Sequence, residues 1–364
     1  MEANFDSPHG RLAALDELRG LAILSVLASH VGLVFGPDLP VAKVLSAPAL
    51  GVGVDLFFVI SGFVIAENVR QMKELANGGF WRAALAFWAR RIVRIGLPSW
   101  AVVVAIAASQ AAEISLGATS ADLKAAAGFY GNFHWATCFA GDTGCGALTA
   151  TSHFWSLANE MQFYLAAPFL MTLKPKWTAL ICFAVLGAGA LSDRPWGGFW
   201  WTFRLDGLAM GVLLSLCMTA QWRLPHIGIA MATFWLGVAS ILARILGGVA
   251  SGLALTSVAM IFGFVVASAV QTKPRTREPC ALQRLGELSF SIYLVHLPII
   301  AGVQTILTGV APAIAVLAAT ICMVLCSALL LDRSITKPAR ILGLRFSTRI
   351  CSNVANERRL ARAA

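Results

Sequence analysis

Two basic side chains stand eleven residues apart in "DELRGLAILSVLASHVG": Arg19 near its start and His30 near its end. At 100° per residue, eleven residues make three turns plus 20°. A helix here puts both side chains on one face, about 16 Å apart along the axis. That is roughly half the thickness of a hydrocarbon core. A guanidinium holds anions through paired N–H donors, and a neutral imidazole accepts a proton near neutral pH. In an otherwise apolar stretch the pair points to anion binding and general-base chemistry. The competing structural readings are snorkelling of Arg19 to headgroups and a helix–helix hydrogen bond for His30.

Further ionisable residues reach comparable depth. Asp55, in "GVGVDLFFVISGF", lies five residues into the next apolar block. Consecutive blocks run antiparallel, so Asp55 is expected to meet and orient His30 or, alternatively, to cap its own helix. In "HFWSLANEMQFY", His153 and Glu160 are seven apart and share a face. Glu160 lies about 10 Å deeper and needs a partner or a proton. Arg204 and Asp206, in "FRLDGLAMG", mark the mouth of a further block, with Arg204 a candidate partner for Glu160 or for an anionic ligand. "LGELSFSIYLVHLPI" places Tyr293 and His296 on one face, and Pro298 removes a backbone donor just beyond them. "FWARRIVRIGLP" clusters Arg90, Arg91 and Arg94. Such a cluster fixes topology, and it is also a seat for a phosphorylated ligand. The histidines are scattered without ligand spacing, so no metal site is expected.

The elements that must position these groups are membrane helices. The chain has 364 residues, 58% hydrophobic and only 13% charged, with mean hydropathy +0.75. A soluble domain carries about a quarter charged residues. Apolar blocks predict an all-α polytopic membrane protein of about ten transmembrane helices, at 18–36, 50–68, 95–112, 154–172, 177–192, 205–220, 227–245, 249–270, 288–308 and 311–331. The first block follows a long, partly acidic leader (Glu2, Asp6, Asp16, Glu17), which reads as an uncleaved span rather than a secretory signal. With both termini in the cytosol, only Lys43, Lys124, Arg194, Arg204 and Arg244 of the 28 basic residues fall outside. The net charge of +10 is therefore an orientation signal, and nucleic-acid binding is not expected.

The longest external loop, 113–153, contains "CFAGDTGC", where Cys138 and Cys145 form either a disulfide on the oxidising side or two free thiols. Residues 1–332 form one transmembrane domain, and 333–364 a basic cytosolic tail expected to rest on anionic headgroups. No internal repeat is evident.

Six blocks, taken in order, resemble the acyltransferase-3 family of integral membrane acyltransferases: "LDELRGLAILSVLASH", "GVGVDLFFVISGFVI", "FWARRIVRIGLP", "HFWSLANEMQFYL", "RLDGLAMG" and "LGELSFSIYLVHLP". Arg19 and His30 match the family's Arg-x10-His hallmark, and Arg91 and Arg94 match an Arg-x-x-Arg before the third span. The resemblance implies transfer of an acyl group, commonly acetyl, from cytosolic acyl-CoA to a hydroxyl of a sugar, surface glycan or small glycoside. No bound cofactor is expected, since acyl-CoA is the donor substrate. On this reading His30, Asp55 and Glu160 carry catalysis, and Arg19, Arg90, Arg91 and Arg94 bind the donor. His153, Arg204, Asp206, Tyr293 and His296 position the acceptor or donor. A bacterial cytoplasmic (inner) membrane location is implied, with the domain acting alone, as a homo-oligomer or with a partner protein. The competing class is a transporter of a small polar or acylated metabolite, whose path would also be lined by buried charges.

Overall fold

The computed structural model describes residues 9–35, 50–75, 79–114, 116–219, 228–246, 251–271, 279–307 and 312–363. Among them no strand occurs. The helices are α1 His9–Ser29, α2 Val31–Phe35, α3 Gly53–Leu75, α4 Phe80–Arg91, α5 Leu97–Ala111, α6 Ser120–Ala127, α7 Gly131–Phe139 and α8 Leu148–Thr151. They continue as α9 Phe154–Leu170, α10 Pro175–Leu191, α11 Asp206–Thr219, α12 Ile229–Leu246, α13 Ser251–Val270, α14 Ala281–Leu307, α15 Ala313–Leu331 and α16 Lys337–Ala363.

The described residues of each predicted apolar block fall largely on helices. Among the described residues, six helical segments are long and apolar enough to cross a membrane: Ala13–Val34, Phe80–Ala111, Phe199–Thr219, Ser251–Val270, Ala281–Leu307 and Ala313–Cys351. Their outward side chains, such as Met260, Ile306, Ile321 and Leu330, are large and apolar, as lipid contact requires. Lys43, used for orientation in the sequence reading, lies outside the described residues.

Glycines set the helix crossings around the site. α1 meets α14 where a Cβ on Gly286 would lie 1.7 Å from the Asp16 carbonyl oxygen, so only glycine permits this approach. α3 meets α11 through Gly62 and Gly211, whose added Cβ atoms would strike the carbonyls of Leu208 and Val59 at 2.2 and 2.3 Å. Small residues replace hydrophobic sorting as the packing device when the solvent is itself apolar.

Two π-helical turns interrupt the bundle, at Ile92–Gly96 and at Asp332–Thr336. Both precede a proline, Pro98 and Pro338. A proline offers no N–H to the carbonyl four residues back, here those of Arg94 and Ser334, and its ring crowds that carbonyl. The wider turn accommodates the defect and redirects Arg94.

The loop region after α5 is built from α6, α7 and α8. Thr119 caps α6 reciprocally with Asp122. Asp122 also accepts from the Gly146 amide and from His134. Cys138 and Cys145 are joined as a disulfide that closes this knot. Asn132 then donates to Asn159 and Gln162, fastening the loop region to α9.

Candidate active site

Between α1, α3, α4, α9 and α14 lies a cavity of about 120 Å³. Its lining includes Arg19, Arg91, Arg94, Glu160 and Tyr293 from the sequence-derived set. Arg91 is 4% exposed, and its guanidinium lies 5.5 and 5.4 Å from the ring centres of Phe87 and Tyr164. Its Nε has no hydrogen-bond partner. Arg94 projects from the π-turn into the same cavity. Arg19 bonds Asp16 at 2.7 Å, which leaves guanidinium donors for a second partner. Arg90 is not in the cavity lining, and Gly343 packs against its backbone.

Glu160 does not meet Arg204. Its Oε1 accepts from Ser61 Oγ at 2.6 Å and from the Tyr164 hydroxyl, so two neutral donors hold it against the cavity wall. Opposite, Tyr293 OH lies 2.5 Å from Ser156 Oγ and donates to the His153 carbonyl at 2.9 Å.

Behind Tyr293 three imidazoles come together. The His296 ring centre is 5.1 Å from that of His30 and 5.2 Å from that of His153, and Tyr293 lies 5.4 and 5.5 Å from His296 and His153. A backbone carbonyl only accepts, so each contact to one fixes a tautomer. His30 Nδ1–H donates to the Val26 carbonyl at 2.7 Å, leaving Nε2 with its lone pair. His296 Nδ1–H donates to Tyr293 O at 2.6 Å, and His153 Nε2–H to Leu294 O at 3.2 Å. Their remaining nitrogens, His296 Nε2 and His153 Nδ1, are buried without partners. His30 is half-buried and lies outside the cavity lining, joined to it through His296 and Tyr293. The break between α1 and α2 falls at His30.

Three expected site residues are placed elsewhere. Asp55 pairs with Arg204, not with His30, and the two are sealed at 3% and 4% side-chain exposure. Arg204 lies between Trp155 and Trp201, 5.7 and 5.6 Å from their ring centres. Asp206 is clamped by both Arg194 terminal nitrogens at 2.7 and 3.1 Å and by Thr256 at 2.7 Å. These buried pairs lock α11 to α3 and α13. Their charges are spent on one another, which corrects the assignment of Asp55 to the histidine and of Arg204 to Glu160.

Sequence reasoning missed Tyr164, Ser61, Ser156 and Arg194. Tyr164 carried a usable signal, being four residues beyond Glu160 and so on the same helix face. Ser156, four residues before Glu160, carried the same signal, whereas Ser61 and Arg194 carried none.

The fold and site define a polytopic membrane protein with a buried polar site joining arginines, a carboxylate and imidazoles. Residues 12–332 match the family profile described as an acyltransferase domain, and the chain belongs to that family. It is similar to the regulator of hypoxia-inducible factor 1 of Caenorhabditis elegans, 29% identical over 49% of this chain and 39% of that protein. It is also similar to a protein of Staphylococcus aureus named as an O-acetyltransferase, 27% identical over 56% of this chain and 34% of that one. The peptidoglycan O-acetyltransferase of Listeria monocytogenes is 26% identical over 49% and 28% respectively. These matches therefore span between about a quarter and two fifths of the relatives' length. No solved structure matches.

Proposed function

We propose that this protein is a membrane O-acyltransferase that moves an acyl group, most simply acetyl, from acyl-CoA to a hydroxyl of a sugar, surface glycan or small glycoside. The observation that carries this reading is the arginine-lined cavity that ends on Tyr293, itself in contact with the histidine cluster. Family membership and relatives named as O-acetyltransferases support it.

The donor's phosphates sit on Arg19, Arg91 and Arg94, and its thioester extends past Glu160 toward Tyr293. His30 Nε2, kept free of its proton by the Nδ1–H bond to Val26, takes the proton of the acceptor hydroxyl as that oxygen attacks the thioester carbonyl. The tetrahedral intermediate collapses, the C–S bond breaks, and the imidazolium returns its proton to the leaving thiolate. Among the described residues no carboxylate bonds His30, so the neighbouring neutral imidazoles share in solvating the transient positive charge. The distribution of basic residues favours a cytosolic position for the arginine end, where acyl-CoA resides; the membrane we propose is a bacterial inner membrane.

The experiment is purified protein in lipid nanodiscs with radiolabelled acetyl-CoA and a panel of glycans and glycosides. Label covalently attached to an acceptor hydroxyl is the expected result. Movement of solute across proteoliposomes with no acylated product would replace this reading with the transporter.

A further inference from the structure

The cavity is built in successive levels along α9, where Tyr164, Glu160 and Ser156 stand four residues apart on one face and all line it. At the first level the Arg91 guanidinium lies 5.4 Å from the Tyr164 ring centre. One turn away, Glu160 accepts from Ser61 of α3 at 2.6 Å. One turn further, Ser156 Oγ meets the Tyr293 hydroxyl of α14 at 2.5 Å. The span from Tyr164 to Ser156 is about 12 Å along the helix axis. α3 repeats the order: beyond Ser61, toward its N-terminus, the lining continues with Phe58, Phe57 and Val54.

The far level differs in chemistry from the arginine end. The Ser156 and Tyr293 hydroxyls are engaged with each other and with the His153 carbonyl. Around them Val54, Phe57, Phe58 and Leu157 offer only hydrocarbon. A ligand anchored by its anionic end on the arginines is therefore best matched here by an apolar group, because a polar one would be desolvated with few partners. The two phenylalanines are not equivalent. Phe58 is 3% exposed and packs edge-on at 6.0 Å against Trp155, which in turn flanks Arg204, so it belongs to the frame around the buried ion pair. Phe57 is half-buried, and its ring meets that of Tyr293 edge-on at 6.4 Å.

We infer that Phe57 is a specificity-determining residue that closes the acyl end of the cavity and restricts the donor to short acyl groups such as acetyl. The inference deepens the proposed acyl-CoA activity and rests on it. With the thioester at Tyr293, the acyl chain continues away from the arginines, and each added methylene runs into the Phe57 ring. A close-packed wall yields little to such additions.

The test compares acetyl-, butanoyl- and hexanoyl-CoA in nanodiscs with one acceptor held constant. Wild type is expected to lose at least about a hundredfold in kcat/KM from acetyl to hexanoyl. Phe57→Ala should shrink that ratio to about tenfold or less, and Phe57→Trp should depress butanoyl transfer more than acetyl transfer. The ratio between donors cancels the fraction of active protein, and Phe57→Leu provides a milder variant if the alanine protein folds poorly. A wild type that uses hexanoyl-CoA as well as acetyl-CoA, or variants that keep the wild-type ratio, overturns the inference. The second measurement is calorimetric binding of the unreactive thioethers S-ethyl-CoA and S-hexyl-CoA. If wild type transfers no acyl group from any donor, the acyl-transfer reading fails. The end wall then stands only if wild type binds S-ethyl-CoA at least severalfold more tightly than S-hexyl-CoA and Phe57→Ala closes the gap; equal binding by wild type overturns it.

Discussion

Replacing Asp55 by Asn separates a structural role from a catalytic one. Asp55 and Arg204 are at most 4% exposed; the pair is made through Arg204 Nη2, and the buried Arg204 Nε has no hydrogen-bond partner. The Asn amide oxygen can still accept from Arg204 but carries no charge, so among the described residues the guanidinium's charge is left facing Trp155 and Trp201 without a paired carboxylate. An uncompensated buried charge costs about 3–5 kcal/mol. That is a large share of the roughly 5–15 kcal/mol that holds an ordinary domain folded. Asp55→Asn is therefore expected to lower the unfolding temperature in detergent sharply. The double replacement Asp55→Leu with Arg204→Met should recover most of the loss, because a packed apolar pair is often as stable as a buried ion pair. Tryptophan fluorescence is a suitable readout, since Trp155 and Trp201 flank the guanidinium. Turnover per folded molecule in the double variant should stay within a few-fold of wild type. An Asp55→Asn protein of undiminished stability whose turnover is abolished would refute the reasoning and return Asp55 to the side of the histidine.

Arg91→Ala should raise KM for acetyl-CoA about ten- to a hundredfold with little change in kcat, and Arg91→Lys should rescue poorly, because the planar guanidinium both stacks and binds phosphate oxygens in pairs. Steady-state kinetics against acetyl-CoA decides it. Gly286→Ala must push α1 from α14 by more than an ångström, since the new Cβ would lie 1.7 Å from the Asp16 carbonyl oxygen. That shift moves Arg19 and His30 relative to Tyr293 and His296, and turnover should fall by about a hundredfold even in the folded fraction. Tyr293→Phe loses its bonds to Ser156 and the His153 carbonyl while keeping the ring contacts. It should lower kcat more than it changes donor KM, as single-turnover measurements would show.

Each apolar block was legible because length and hydropathy are local properties of the chain. The coincidence of Arg19, Arg91, Arg94, Glu160 and Tyr293 in one cavity was also foreshadowed, through the order of recognisable blocks. Partner choice was not. Asp55 and Arg204 are 149 residues apart, and they meet because Gly62 and Gly211 let α3 and α11 approach to backbone contact. From helix periodicity Asp55 faces His30 as readily as Arg204, and only the packed bundle decides. Arg194 was opaque for another reason: it sits between α10 and α11, where no periodicity predicts which carboxylate it reaches. The π-turn that aims Arg94 was signalled by Pro98, and its twin by Pro338, although neither proline tells which wider turn will form.

The histidine cluster is the centre of this account, and the most direct measurement is acetyl transfer by His30→Gln in nanodiscs, alongside calorimetric binding of desulfo-CoA, a non-reactive donor analogue. The expected result is loss of labelled product with donor affinity within a few-fold of wild type, because the arginine cavity lies on the far side of Tyr293 from His30. Wild-type turnover in that variant would contradict the account, since no base would then be needed at residue 30.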